Sequence, residues 1–455
     1  MKHREFHRRV ELKADARTVF DWHTRPGAFE RLLPPWDQVS LNGPPAPIEP
    51  GARQEVVVPL GPLRVRWRSE ITAVEAGREF KDVQLSGPFA MWEHTHSMNP
   101  TGPGRSSLEE RVRYALPLGR LGSAVAGRFV RRKLERMFAY RHRITVQDLA
   151  RHEAVAAPAL DVLVTGSSGL VGKALTPFLT TGGHRVRRLV RRAPQNADEF
   201  LWNPENGELD PAALEGVDAV VHFAGENIAA RRWSAAQKER IRRSRIDGTR
   251  RLVNAVHAAQ GKPRVFVCAS AVGIYGDRAD ELLDEESAPG TGFLAEVCQA
   301  WEAEARKLND VRSVQLRCGV VLSPAGGALA RMLLPFQLGA GGRIGGGRQW
   351  MSWVALDDVV GALLHVLVTN ELQGPVNVVA PQAVTNAEYT RTLGRVLRRP
   401  TLFPMPAFAA RGAFGELANE LLLASQRVVP RRLQETGYVF AQPQLEGALR
   451  HQLGG

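Results

Sequence analysis

Residues 159–192 restrict the fold more than any other stretch. Leu160 to Val164 is an apolar run of strand length, too short for a helix. Glycines follow at 166, 169 and 172, and Leu170 to Thr180 carries a helical pattern. Strand, glycine-rich turn and helix, in that order, are what a dinucleotide-binding βα unit requires. Gly166 permits the tight turn, Gly169 lets backbone approach a pyrophosphate, and Gly172 lets helix pack against strand. The first turn of the helix then offers free N–H groups and a partial positive charge to phosphates. The expected cofactor contacts here are Gly166, Ser167, Ser168, Gly169, Leu170 and Val171. A second strand, Arg185 to Val190, follows the Gly182-Gly183 turn at βαβ distance.

The second strand runs into Val190-Arg191-Arg192, with no acid to accept from ribose hydroxyls as NAD sites usually have. A guanidinium there suits the 2′-phosphate of NADP through charge-assisted hydrogen bonds. NADP is the expected cofactor, with Val190, Arg191 and Arg192 beside its ribose; an arginine pair on a solvated edge is the alternative.

At 455 residues the chain exceeds one ordinary core, so two or three domains are expected. No uncharged run is long enough to span a bilayer, and the first nine residues lack the apolar stretch of a signal peptide. Cys268, Cys298 and Cys318 make neither a disulfide framework nor a Cys-x-x-Cys metal pair. A reduced, cytoplasmic protein without a metal centre is expected. Of the net charge of +13, residues 1–150 carry +8. Such a balance raises nucleic acid as a partner, but no nucleic-acid motif accompanies it, and a small-molecule substrate is expected instead.

Residues 1–150 read as a domain of their own. Phe6 to Leu12 alternates as a strand, with Phe6, Val10 and Leu12 on one face, and Asp15 is placed to N-cap the helix that follows. Strand patterns recur at 54–60, 63–74, 80–85, 91–98 and 106–114, and a long helix at about 122–142 closes the set. Val125, Phe129, Leu134, Met137 and Phe138 are expected to form its apolar stripe. This order, with the segment Asp21 to Trp36, resembles the START-like, polyketide-cyclase type of α+β helix-grip domain. The resemblance implies a sheet folded around a long helix, with an apolar ligand in a cavity between them. Alternatively, Trp22, Phe29, Trp67 and Trp92 simply fill the core. Residues 148–159 lack a clear period, end in proline and read as a linker.

Farther on, Ala219 to His222 is a strand ending in the small-residue turn Phe223-Ala224-Gly225-Glu226. A doubly wound sheet places such a turn beside the dinucleotide, so these four join the cofactor set. The helix after it, about 234–259, carries Arg240, Arg242, Arg243 and Arg245, and the strand 264–269 runs into Ser270-Ala-Val-Gly-Ile-Tyr-Gly-Asp277. The glycine motif, the His-Phe-Ala-Gly turn, the Ser…Tyr-Gly turn and Trp353 to Asp358 together resemble the extended short-chain dehydrogenase/reductases of nucleotide-sugar epimerase type. Asn227 to Trp233, Ser244 to Thr249, Phe293 to Glu302 and Gly346 to Trp353 are similar to a narrower group, the atypical "epimerase family" oxidoreductases of unassigned substrate. That likeness covers about 160–453. It implies an α/β, NADP-binding Rossmann domain with a doubly wound parallel sheet at 159–375 and a small substrate-side lobe at 376–455.

The parent superfamily works with a Ser, a Tyr and a Lys four residues after the Tyr. The Tyr is acid/base, and the Lys fixes the ribose and lowers the Tyr pKa. Anchored on Glu302, the matching positions here are Leu294 and Cys298, and the usual helix Asn is Arg245. Ser270 takes the serine slot, although an ungapped count back from Tyr275 gives Ala271. Candidate catalytic residues are Ser270, Tyr275 and Cys298. Cys298 reads as a packed thiol or as a nucleophile assisted by a nearby arginine. Arg245 is assigned to the cofactor phosphates or an anionic substrate. Two functions follow: an NADP-dependent oxidoreductase or epimerase, or a cofactor-dependent sensor that has lost its chemistry.

Overall fold

Alternation of inward and outward residues organises the first third of the chain around one antiparallel sheet. The computed structural model describes residues 3–61, 63–117, 119–155 and 158–455, which form two compact units. In the first, the strands are β1 (Arg4–Leu12), β2 (Ser40–Leu41), β3 (Arg53–Leu60), β4 (Leu63–Glu75), β5 (Glu79–Ser86), β6 (Met91–Gly102) and β7 (Arg105–Ala115). They pair in the order β1-β7-β6-β5-β4-β3-β2, so the first strand closes against the last. Helices α1 (Ala16–Thr24) and α2 (Ala28–Leu32) follow β1, and the Asp15 carboxylate accepts from Thr18 N–H at 2.7 Å as the sequence leads one to expect. The long helix α3 (Gly119–Val155) buries Leu134 and Phe138, and the Phe138 ring lies 5.1 Å from that of Phe6. This is the helix-grip arrangement.

Two expectations for α3 need correction. Phe129 does not belong to the apolar stripe; it is 66% exposed. Five residues from Leu134 turn an α-helix by about 500°, which puts Phe129 roughly 140° away from that face. The side chain of Val125 lies outside the described residues. Nor does a linker begin at 148: the helix runs to Val155, and residues 156–157 lie outside the description. The period was broken by Asp148, a buried carboxylate bonded to Arg31 at 2.7 and 2.8 Å.

The inward surface is less apolar than expected. Trp22 and Trp92 are buried in the packing and Trp67 leans on Trp92, whereas the cleft of about 250 Å³ between β1 and α3 is lined by Arg8, His142 and Arg143 among others. This opening mixes those charged groups with Val10, Ala139 and Val146.

The second unit contains the expected doubly wound sheet. Its strands are β8 (Asp161–Thr165), β9 (Arg185–Val190), β10 (Glu199–Leu201), β11 (Ala219–His222), β12 (Val265–Ala271), β13 (Arg312–Cys318) and β14 (Gly374–Val378). All pairs are parallel, in the order β10-β9-β8-β11-β12-β13-β14. Val162, Leu163, Val164, Val220 and Phe266 are fully enclosed, as strands covered on both faces require. Helices α4 (Leu170–Thr181), α5 (Ala235–Ala258) and α6 (Phe293–Ala305) are the coverings that matter for the site, and Ser234 caps α5 by accepting from Gln237 N–H. After β14, the helices Asn386–Leu397 and Leu445–Leu453 pack with Trp353 and Tyr389 in a further core. Among the described residues no helix is long and apolar enough to cross a membrane.

The two faces of α3 make a stability test. Phe138→Ala is expected to destabilise the first unit by about 3–5 kcal/mol and Phe129→Ala by no more than about 0.5 kcal/mol. Urea unfolding read through amide exchange in β6 and β7 measures both, and equal losses would contradict the assigned faces.

Candidate functional site

Strand order reverses between β8 and β11, so the turns leaving their carboxyl ends part and open a cleft. Glycine is required where the two turns touch. Gly166 has φ +69°, and a Cβ there would lie 2.8 Å from the Phe223 carbonyl carbon and 2.9 Å from Ala224 N. At Gly172 a Cβ would come within 2.4 Å of Gly166 O, so this glycine seats the first turn of α4 on the loop itself. Gly169 donates its N–H to Gly166 O at 2.9 Å. Ser168 and Gly169 are exposed, while Leu170 and Val171 open α4, whose leading N–H groups have no intrahelical acceptor. A bare-Cα cradle facing a helix N-terminus fits a dinucleotide pyrophosphate.

A buried chain of side chains holds the two turns in register. Thr165 Oγ1 accepts the N–H groups of Phe223 (3.2 Å) and Ala224 (3.1 Å) and lies 2.7 Å from His222 Nδ1. His222 Nε2 is 3.0 Å from Thr249 Oγ1, which accepts from Trp301 Nε1 at 2.7 Å. Burial, helped by the charge of Arg245, lowers the His222 pKa to about 3. The ring is therefore neutral; with both Thr165 Oγ1 lone pairs taken by the two N–H groups, the Thr165 hydroxyl donates to His222 Nδ1, and His222 Nε2–H donates to Thr249 Oγ1.

At the end of β9 the two arginines part company. Arg191 is exposed and has no ion pair among the described residues. Arg192 instead forks onto Glu199 of β10, with both contacts at 2.7 Å. The hydrogen bonds from Arg192, joined by Gln195 N–H, lower the Glu199 pKa. The acid missing from the end of β9 thus stands one strand over, and it holds the arginine that the sequence assigned to the cofactor. Arg192, expected beside the ribose, is held by Glu199 here, while Val190 and Arg191 stand at the strand end.

At the β11 turn, Glu226 is drawn into α5. Its N–H donates to Ser244 Oγ (3.0 Å), its carboxylate accepts from Gln237 (3.1 Å), and its carbonyl accepts from Arg245 at 2.9 Å. Arg245 lies against Gly225, and its guanidinium sits 5.1 Å over the Trp301 ring. Burial lowers its pKa, yet an arginine stays charged, and among the described residues its hydrogen bonds go to the carbonyls of Glu226 and Ile241 rather than to a carboxylate.

The three candidate catalytic residues do not converge as free reactive groups. Ser270, at the end of β12, donates to Glu302 Oε1 at 2.7 Å. Glu302 is fully enclosed and also takes two bonds of 2.9 Å from Arg317 and one of 2.7 Å from Arg306. Tyr275 has no exposed surface. Its hydroxyl accepts from Arg317 (2.9 Å) and lies 2.8 Å from Asn377 Oδ1 and 2.9 Å from the Asp284 carbonyl. Burial raises its pKa, so it is a structural phenol rather than an acid/base at the cleft mouth. Cys298, on α6, is buried among Val272, Tyr275 and Val379. Burial pushes its thiol up to about 11, outweighing Arg245, and the packed-thiol reading replaces the nucleophile. Leu294 fits against Gly273, and the N–H groups of Phe293 and Leu294 are accepted by the Glu420 carboxylate at 3.3 and 3.2 Å.

Sequence reasoning missed Glu199, the Ser270–Glu302–Arg317 group and the Thr165–His222–Thr249–Trp301 chain. His222 lay inside a quoted motif and Glu302 served as an alignment anchor, so both were in view without partners. Their partners stand on other strands and helices; Ser270 faces Arg317 only through the β12–β13 register.

Comparison with known proteins agrees with this geometry. Residues 162–379 match the NAD dependent epimerase/dehydratase family, 405–452 a domain of unknown function (DUF1731), and 3–145 the polyketide cyclase / dehydrase and lipid transport family. An epimerase family protein of Mycobacterium bovis is 50% identical over 281 residues, 61% of this chain and 93% of that protein. Human epimerase family protein SDR39U1 is 39% identical, over 64% of this chain and 98% of its own. Among solved structures, a nucleoside-diphosphate sugar epimerase from Corynebacterium glutamicum superposes with a TM-score of 0.79 at 33% identity, covering 99% of this chain and 90% of that one. Human SDR39U1 (isoform 2), solved with NADPH, gives 0.61 at 36% identity, covering 65% and 99%.

Thiol chemistry tests the site as built. With a pKa of about 11, Cys298 is about 1% thiolate at pH 9. Iodoacetamide labelling of the folded protein, read by peptide mass spectrometry, is expected to stay slow through pH 9 and to climb as pH nears 11. Rapid stoichiometric labelling of Cys298 at neutral pH would contradict the burial argument.

Proposed function

The chain belongs to the NAD dependent epimerase/dehydratase family, and from that premise we propose that its second unit binds NADP(H) and moves hydride to or from a small molecule without a catalytic tyrosine. The observation that carries this reading is the cradle of bare Cα atoms at Gly166 and Gly172 with exposed Arg191 at the next strand end. Ser167 to Val171 would hold the pyrophosphate, Val190 and Arg191 the ribose with its 2′-phosphate, and Phe223 to Glu226 the inner edge of the cleft. The relative solved with NADPH supports the same cofactor choice. Bound there, the dinucleotide supplies the hydride chemistry.

Arg245 takes over the electrostatic part of the missing lysine. A half-buried cation with no carboxylate partner among the described residues favours negative charge developing on a substrate oxygen, or an anionic substrate outright. It cannot give up a proton near neutrality. Ser270 is the one hydroxyl at the strand end, so proton transfer runs through it or through the substrate's own groups. The lobe after 375, which supplies Glu420 to the start of α6, completes the substrate side. Three free thiols suit a reducing compartment, and we place the protein in the cytoplasm.

A second reading, a cofactor-dependent binding protein, draws its support from the protonated Cys298 and the engaged Tyr275. Substrate-dependent NADPH oxidation by the purified protein separates the two.

Cofactor choice is tested by titrating NADPH and NADH into wild type and Arg191→Ala. Losing one charge-assisted hydrogen bond costs about 1.5–3 kcal/mol, so NADPH affinity is expected to fall about ten- to a hundredfold while NADH is unaffected. Arg192→Ala is expected to have the smaller effect, since Glu199 already occupies that side chain. Equal affinity of wild type for the two cofactors would overturn the reading.

A further inference from the structure

The centre of the first unit's sheet carries charge where a core is normally apolar. On the face that also holds Phe80, Trp92 and Met98, the inward positions include Asp82 of β5, His94 and His96 of β6 and Glu110 of β7. Register puts Asp82 directly opposite His94, and His96 directly opposite Glu110. Four polar groups on three adjacent strands therefore converge by pleat alone.

Their spacing has two sides. Toward β7 it is that of close contact: His94 Nε2 lies 2.7 Å from Glu110 Oε2, and His96 Nδ1 lies 3.0 Å from the same oxygen. Toward β5 it is wider. His94 Nδ1 is 3.4 Å and His96 Nε2 3.7 Å from Asp82 Oδ1, and the three residues each offer one ligand atom within 4.8 Å of the others. Ligands at about 2.0–2.1 Å from a tetrahedral ion stand roughly 3.3–3.5 Å apart. The Asp82–His94 distance matches that spacing and the Asp82–His96 distance is slightly wider, while the Glu110 side has the carboxylate–histidine contacts that orient metal-bound imidazoles.

We propose that the first unit binds a divalent first-row transition metal ion, of the zinc or ferrous class, through Asp82, His94 and His96, with Glu110 as the positioning residue. Glu110 bonds His94 Nε2 and lies 3.0 Å from His96 Nδ1, so that His94 Nδ1 and His96 Nε2 face Asp82. Two imidazoles and one carboxylate are the donor set of zinc hydrolase and non-haem iron sites, and three protein ligands leave a position for water or an oxygen donor. A second observation points to a ligand in the same interior. Among the described residues His23 Nε2 and both ring nitrogens of His142 are buried without a partner, each residue being 4% exposed, and the His23 ring lies 6.3 Å from that of His96. Unpartnered imidazole nitrogens in a dry core are costly unless something arrives to bond them. This inference is independent of the dinucleotide site, and it departs from the expectation of no metal centre, which rested on cysteine spacing.

The test uses the full chain without a polyhistidine tag. Plasma mass spectrometry is expected to find about one equivalent of zinc or iron per chain, the element deciding between the two. After chelation, Co²⁺ is expected to restore one equivalent and give d–d bands without a sulfur-to-cobalt charge-transfer band. Asp82→Asn and His96→Gln are expected to lose the ion, and Glu110→Gln to weaken it about 10–100-fold. Three results overturn the proposal: folded wild type that takes up no metal; a folded His96→Gln that keeps the cobalt spectrum; or a sulfur charge-transfer band in wild type. The last decides the matter even where the variants fail to fold.

Discussion

Everything at the dinucleotide cleft depends on how closely two backbone turns approach at the switch point. Gly166 meets the Phe223–Ala224 peptide at a distance no Cβ tolerates, and Thr165, one residue earlier, accepts both N–H groups of that segment. Behind Thr165, neutral His222 passes the constraint to Thr249 and Trp301, which lie on α5 and α6. One strand end thereby fixes the loop facing the phosphates, the turn lining the cleft, and the two helices that carry Arg245 and Cys298. Proton order matters here because an imidazolium would place an uncompensated charge in a dry interior beside a buried guanidinium.

On the proposed reading, the same neighbourhood is a reductase scaffold rebuilt without its tyrosine and lysine. Leucine and cysteine at 294 and 298 turn the α6 face into packing. Positive charge is not lost; it moves to Arg245 on α5, seated over Trp301. Ser270 keeps its place on β12 but is tied through Glu302 to Arg317, which also holds the Tyr275 hydroxyl. A carboxylate and a guanidinium so enclosed are tolerable only as a fully bonded set, which explains why the Tyr275 hydroxyl is spent on structure while Ser270 contributes its proton to Glu302.

Much of this was legible from residue order. Periodicity, glycine spacing and the Asp15 cap located the βαβ unit, the turn at 223–226, α5, and the first helix and antiparallel strands of the first unit, because each is a local property. Interactions that cross elements were not legible. Glu199 capturing Arg192 requires knowing that β10 lies beside β9. The inward histidines of β6 read as ordinary strand residues until Asp82 and Glu110 come alongside. Asp148 broke the helical pattern of α3 because its partner, Arg31, lies more than a hundred residues away. Phe129 failed differently: an apolar residue near a stripe was counted into it although the helical angle excludes it.

The central claim is that the cofactor is gripped by backbone at the β8 and β11 turns. Hydrogen–deuterium exchange with and without saturating NADPH addresses it residue by residue. Slowed exchange is predicted at Ser167 to Val171 and at Phe223 to Glu226, with the turn after Ser270 changing less. Unchanged exchange at both turns, with protection elsewhere in the second unit, would contradict it.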